Sequence, residues 1–322
     1  MRLLLIGDVM LGRGVNERLS AAPPERPWGN TLALIREADV RICNLECVLS
    51  DGGAPARKEF TFRSDAKNVE VLKTAGINLV SLANNHSLDY GTEALADTLG
   101  ILDFAGIAHA GAGGDSAEAQ ALAQVRLDGA STGMLSATDS EPGWEARADK
   151  PGTWFVPISL DEPRAQRLLA RVRAGKREVD ALIVSLHWGA NRGCRPEARH
   201  REFAHALVDA GADIVFGHSS HVFRGVELYA GRLIIFGAGD FIDDYAVDEA
   251  ERNDESFVFS AEMGDGLVAR VRLYPVVIEE LATRLAEASR ARPVAARMET
   301  LCRELGTATE WIEREGALEV RF

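Results

Sequence analysis

Several separated stretches of this 322-residue chain release a carboxylate, carboxamide or imidazole just after an apolar run. They supply Asp8, then Asn44 with Glu46, then Asn84, Asn85 and His86, then His187, then His218 with His221, and last Asp240. Oxygen donors and neutral imidazoles without a thiolate suit a divalent cation of middling hardness, such as manganese, zinc, iron or calcium, and disfavour a structural zinc site. A cation also removes a cost, because clustered carboxylates and imidazoles repel or desolvate one another unless something positive sits among them. The densest stretch is LANNHSLDYG (82–91), where Asp89 follows His86 on the same local segment. A turn needs only one Asn or Gly. A carboxylate that holds an imidazole in one tautomer is what proton transfer needs.

Such residues meet only if a scaffold gathers the strand ends. RLLLIGD (2–8), VRICNLE (40–46) and NLVSLAN (78–84) read as strands. AKNVEVLKTAG and GTEALADTLGILDFAG read as helices stopped by Gly76 and Gly106. This alternation predicts an α/β architecture with parallel strands, whose C-terminal strand ends are where ligands bind. QVRLDG and TGMLSAT read as further strands, and the Pro/Gly/Trp-rich segment 139–157 as a loop long enough to serve the site. EPRAQRLLARVRAG returns to helix, and DALIVSLHWG, PEARHREFAHALVDAG and ADIVFGHSSH repeat strand, helix, strand. One hairpin is expected to turn at Ala230-Gly231 and another at Gly264-Asp265-Gly266. A helix near 291–305 and a last strand make 281–322 an extension of a single domain spanning 1–322.

A hydrophobic fraction of 46% supports a large core, and a net charge of −13 repels nucleic-acid phosphates and anionic lipid, so neither is an expected partner. No apolar run is long enough to span a membrane. The N-terminal apolar run meets Asp8 too soon for a signal peptide, and the expected location is cytoplasmic with no membrane anchor. Cys43, Cys47, Cys194 and Cys302 fit that compartment as free thiols. The oligomeric state is left open. Met10 reads as packing, His200 and His205 as ordinary surface or interface residues of a helix, and His109 as a residue without a role. Arg13, Arg63 and Arg224 could face a cleft, where a guanidinium clamps carboxylate or phosphate.

The motifs GDVMLGRG, NLE, FRSD, ANNHSLDYG, SLHWG and GADIVFGHSSHVFRGVELYAGRLIIF together resemble the CapA-type proteins of poly-γ-glutamate capsule synthesis. These are a branch of the calcineurin-like metallophosphoesterases, and the resemblance runs from residue 2 to about 245. It implies a four-layer αββα sandwich of two mixed sheets with the site at the strand ends. It also implies metal ligation by Asp8, Glu46, Asn85, His187 and His218, with Glu46 in the bridging position. His86 becomes an acid/base residue aided by Asp89, and His221 with Asp240 a second such pair. Asn44, Asn84, Trp188, Asn191 and the three arginines become candidate substrate contacts. Met10 stands where the wider superfamily has a histidine, so one tightly held ion is expected rather than a full binuclear centre. GDF replaces the usual GNF, with Asp240 as the exchanged residue.

Three activities follow. One is a peptide-directed enzyme that cleaves or transfers a γ-glutamyl or other peptide bond, or epimerises a peptide Cα. Another is a metallophosphoesterase acting on a phosphomonoester or phosphodiester. The third is a metal-stabilised binding protein without turnover, which the presence of His86 beside the ligands argues against. The expectation is a metal-dependent enzyme for a soluble peptide or peptide-like substrate.

Overall fold

A computed structural model describes residues 1–264 and 266–322. In the first strand, Arg2–Val9, residues alternate between two faces, as the pleat requires. Leu3 and Leu5 pack with Ile183, Phe216 and Ile235 of a second sheet, whereas Leu4 and Ile6 pack with Val71, Leu72 and Leu102 of helices. The second sheet repeats the pattern. Ile183 faces the first sheet, while Leu182 and Val184 join Leu168, Phe203 and Leu207 of two outer helices. Three apolar layers therefore separate helix, sheet, sheet and helix, giving the αββα sandwich that the family resemblance implies.

Both sheets are mixed. In the larger, Arg2–Val9, Val40–Leu45, Leu79–Ser81 and Ala108–Ala110 run parallel, and Glu255–Gly264 pairs antiparallel to the first of them. In the smaller, Ala130–Thr138, Ala181–His187, Ile214–His218 and Arg232–Ile235 are parallel, with an antiparallel strand at each edge. Gly76 and Gly106 close their helices at φ 68° and 70°. Ala230 and Gly231, at φ 49° and 72°, turn the first hairpin with both central residues left-handed, which matches strand twist. The other hairpin joins Glu255–Gly264 to Leu267–Glu279, and its turn residue Asp265 lies outside the described residues.

Some expectations need correction. The third strand ends at Ser81, so Asn84, Asn85 and His86 occupy the turn after it. The 139–157 segment does not line the main cavity. It folds through a short turn of helix at Pro142–Trp144 and a strand at Gly152–Thr153, and meets the site's edge where Lys58 lies 4.8 Å from the Trp144 ring and 4.0 Å from Glu141, and where the Asp139 amide donates to the His187 carbonyl at 3.3 Å. After residue 281 the chain adds three strands to the larger sheet, Ala282–Leu285, Thr309–Ile312 and Ala317–Val320, around the helix Ala288–Glu304. Val294, Met298, Leu301 and Cys302 of that helix join the inter-sheet core. No helix among the described residues is long and apolar enough to cross a membrane.

Candidate metal centre

Register places the polar strand ends side by side. Asp8 lies opposite Asn44 and Asp240, and His187 lies opposite His218 in the other sheet. Gly7 makes this possible. A Cβ there would stand 1.9 Å from the Gly239 carbonyl oxygen, and its absence lets the Asp8 amide donate to that oxygen at 3.0 Å. The two sheets then meet through His218 Nδ1 and Asp8 Oδ1, 3.8 Å apart, and His187 Nε2 and Glu46 Oε1, also 3.8 Å apart.

The stretched motif Gly217-His218-Ser219-Ser220-His221 separates its two imidazoles. Ser219 and His221 both take positive φ, 97° and 50°, a strained choice that clusters at functional sites. His218 stays in the interior, held by Ser185 Oγ at 2.8 Å and His187 at 2.9 Å. His221 turns to the cavity and bonds Asp240 through Nδ1 at 2.8 Å.

The donor atoms form two sets, each within 4.8 Å: Asp8, His187 and His218, and Asp8, Glu46, His221 and Asp240. Asp8, rather than Glu46, is common to both. Asn85 Oδ1 is buried without a partner, as are both Glu46 oxygens and Asp240 Oδ2. Buried acceptors without donors are costly. Burial, reinforced by Asp240, pushes Asp8 up to about 7, and burial with Asp8 pushes Glu46 well above the usual carboxylate range. Burial pushes His218 down to about 3 and, with His218 beside it, His187 well below its ordinary value. Acceptor-only oxygens together with imidazoles held neutral fit a divalent cation.

A cavity of about 460 Å³ opens beside these residues, lined in part by Arg13, Asn85, His86, Asn191, His221 and Tyr245. His86 stacks on Phe62 with ring centroids 3.9 Å apart, and its Nδ1 meets Asp89 Oδ2 at 2.5 Å. Asp89 also accepts from the Phe62 amide at 2.7 Å and from Lys58 Nζ at 2.9 Å. The carboxylate thus ties the 58–62 segment to the His86 turn and fixes the imidazole tautomer. Burial, only partly offset by Asp89, pushes His86 down to about 4, so it is neutral at pH 7. Burial alone would lower His221 as well, but Asp240, Glu46 and Asp8 together raise it to about 10.

Several expected substrate contacts lie elsewhere. Asn44 and Asn84 are fully buried: Asn44 donates to Asp8 at 2.8 Å, and Asn84 donates to Asn44 at 3.0 Å and to the Leu45 carbonyl. They orient the site without facing the cleft. Trp188 is also fully buried, stacked on Phe236 and donating to its carbonyl. Buried Arg224 donates to the carbonyls of Ala190 and Gly193, bracing that segment. Arg63 bonds the Gly52 carbonyl, lies over Tyr90 and does not line the cavity. Arg13 and Asn191 do line it, with Arg13 over Phe60 and Phe62 and paired to Asp244 at 3.3 Å. Met10 is packed in the core, His109 pairs with Asp103, His205 stacks on Tyr229, and all four cysteines are free.

Lys58, Ser185 and Tyr245 were not legible as site residues. Lys58 and Tyr245 come from irregular segments without a motif, and Ser185 is one more small residue inside a strand. His200 carried a usable signal: it shares the helical face of Phe203, Ala204 and Leu207 and is only 1% exposed, not a surface residue. Burial, with Arg224 nearby, pushes it down to about 4. The unfolded chain protonates it near the ordinary 6.5, so its contribution to stability is lost as pH falls from there to about 4. We expect His200→Phe to remove roughly 3 kcal/mol of that acid loss, read from urea unfolding at pH 7 and pH 4.

An αββα sandwich with carboxylates and imidazoles at converging strand ends defines the class: a two-sheet α/β protein with a candidate divalent-cation site. Residues 2–245 match the model of the bacterial capsule synthesis protein PGA_cap, and the chain belongs to that family. A probable polyglutamine synthesis accessory protein of Mycobacterium tuberculosis is 36% identical over 76% of this chain and 74% of its own. The PGA biosynthesis protein CapA of Bacillus subtilis is 29% identical over 74% of this chain and 62% of its own. Among solved structures, a hypothetical protein from Thermus thermophilus superposes with a TM-score of 0.52 at 16% identity, over 85% of this chain and 98% of that one.

Proposed function

We propose that this chain is a divalent-metal-dependent enzyme acting on a peptide or peptide-like substrate, with His86 and His221 as its proton carriers. One observation carries the reading: two imidazoles, His86 and His221, line a single cavity beside a cluster of unpartnered acceptors, each backed by a buried carboxylate, Asp89 and Asp240. Asp8, Glu46, Asn85, His187 and His218 would hold the cation, and His221, backed by Asp240, would stay free of metal to carry its proton. A cation there supplies positive charge that polarises a substrate oxygen and lowers the pKa of nearby water. The neutral His86 donates Nδ1–H to Asp89 and keeps Nε2 free to accept a proton. The protonated His221 is placed to donate one. Base and acid in this arrangement serve peptide-bond hydrolysis or transfer, with a proton taken from the nucleophile and another given to the leaving amine. They equally serve removal and return of a Cα proton, which is epimerisation. The peptide-like substrate class rests on the names of the relatives, which concern polyglutamate and polyglutamine synthesis.

A second reading, phosphoester hydrolysis, is favoured by the sharing of Asp8 between two donor sets, as paired ions on one phosphoryl group would require. Free thiols at all four cysteines support a reducing, cytoplasmic location. An inter-sheet core drawing on residues from Leu3 to Val320 supports one domain over 1–322.

The test is incubation of the manganese-loaded protein with γ-glutamyl and α-linked peptides in heavy water, read by mass spectrometry, beside a chromogenic phosphodiester. Cleavage indicates hydrolysis, and uptake of one deuterium at Cα without cleavage indicates epimerisation. Turnover of the phosphodiester alone would install the second reading. No reaction with any of them would remove the enzyme reading.

A further inference from the structure

We infer that Tyr245 is a substrate-contacting residue, whose phenol donates a hydrogen bond to an oxyanion of the ligand seated at the candidate metal centre. Tyr245 lines the cavity. Its ring is held edge-on by His221, with centroids 5.1 Å apart, and tilted against Phe62 at 5.7 Å. The side chain is therefore fixed by the two elements that flank His86 and His221. Its hydroxyl is nevertheless buried and makes no hydrogen bond.

An orphaned buried hydroxyl is destabilising, and phenylalanine would fill the same volume without that cost. The position therefore calls for a partner that arrives with the ligand. The chemistry of the neighbours says which kind. Glu46, Asn85 and Asp240 also present orphaned buried oxygens, and all of these are acceptors suited to a cation. Tyr245 differs in carrying a proton to donate. A donor that faces the same space is useful to an oxygen-rich group resting on the cation, because it meets the lone pairs turned away from the metal. Ser219 has an orphaned hydroxyl too but does not line the cavity, so of the two orphaned hydroxyls the one at the cavity is the phenol. The backbone supports the placement: the Tyr245 amide donates to Asp243 Oδ1 at 2.8 Å, turning the chain after the strand Asp240–Ile242 so that the ring enters the cleft.

The inference rests on the enzyme reading only for its catalytic meaning, and binding tests it independently of turnover. The probe is inorganic phosphate, titrated calorimetrically into the manganese-loaded wild type and Tyr245→Phe, with metal content and unfolding temperature measured in parallel. One hydrogen bond to a charged acceptor predicts a 10- to 100-fold weaker phosphate affinity for the variant, to order of magnitude. Metal content is expected to stay the same and the unfolding temperature to stay equal or rise, since a polar group without a partner has been removed. Equal phosphate affinity in the two proteins would overturn the inference, as would absence of phosphate binding to the loaded wild type. Loss of metal from the variant would overturn it by making the phenol a ligand, and a lower unfolding temperature would do so by giving it a structural partner. Each of these leaves the peptide and phosphodiester assays to judge the enzyme reading separately.

Discussion

Saturating manganese or zinc should raise the unfolding temperature of the purified protein by roughly 8–16 °C, and Asp8→Asn should abolish that rise. The metal-free site stores unfavourable electrostatics: Asp8 and Glu46 are pushed upward by burial and by their own neighbours, and both Glu46 oxygens are unsatisfied. A ligand present at about 1,000 times its Kd and bound only by the folded state stabilises by about 4 kcal/mol, and each kcal/mol moves a large domain by about 2–4 °C. Asp8 is common to both donor sets, so its loss damages either site. Its removal also takes one negative charge away from buried Asp240 and Glu46, so the metal-free variant is expected to be no less stable than the metal-free wild type. Opposite signs with and without metal distinguish ligation from packing. Differential scanning fluorimetry with and without chelator reads both, and an undiminished metal shift in Asp8→Asn would remove the proposed ligand set.

The second large effect is on chemistry. His86→Gln should lower turnover about 10²- to 10⁴-fold, the range a positioned acid or base contributes, while keeping bound metal. Asp89→Asn should approach the same loss by a different route. An amide in that place no longer compels the Nδ1–H tautomer, and it also weakens the hold on Lys58 and the Phe62 amide. The 58–62 wall of the cavity then loosens, so Asp89→Asn should raise KM as well as lower kcat, whereas His86→Gln acts chiefly on kcat. Steady-state kinetics on whichever substrate turns over, with metal analysis of each variant, separate the two. Near-normal turnover in metal-replete His86→Gln would exclude that imidazole as the proton carrier.

Much of the centre was legible because its chemistry is local. Asp8, Glu46, Asn85, His86, His187, His218 and Asp240 each sit at or just beyond the end of an apolar run, and the pleat alone places such ends along one sheet edge. The spacing of His86 and Asp89 forecast their contact for the same reason. Segments without periodicity gave no comparable clue. Lys58 and Phe62 reach the site only because Asp89 draws their irregular loop onto the His86 turn, and Tyr245 only because the chain bends at Asp243.

Residue type proved a poor guide to exposure. Asn44, Asn84, Trp188 and Arg224 are polar or amphipathic residues next to the motifs, and each spends its donors on other parts of the chain instead of on a ligand. From the sequence alone came the alternation of strands and helices, through two-residue and helical periodicities, and the cation-seeking character of the strand ends, through donor chemistry; the layer order of the sandwich came only through the family resemblance. Tertiary structure decided which donors share a space. Closure of Gly7 onto Gly239 and the left-handed turns at Ser219 and His221 made Asp8 the shared carboxylate and sent His221 to the cavity. Those are contacts between segments more than 200 residues apart, and no local pattern encodes a distance across two sheets.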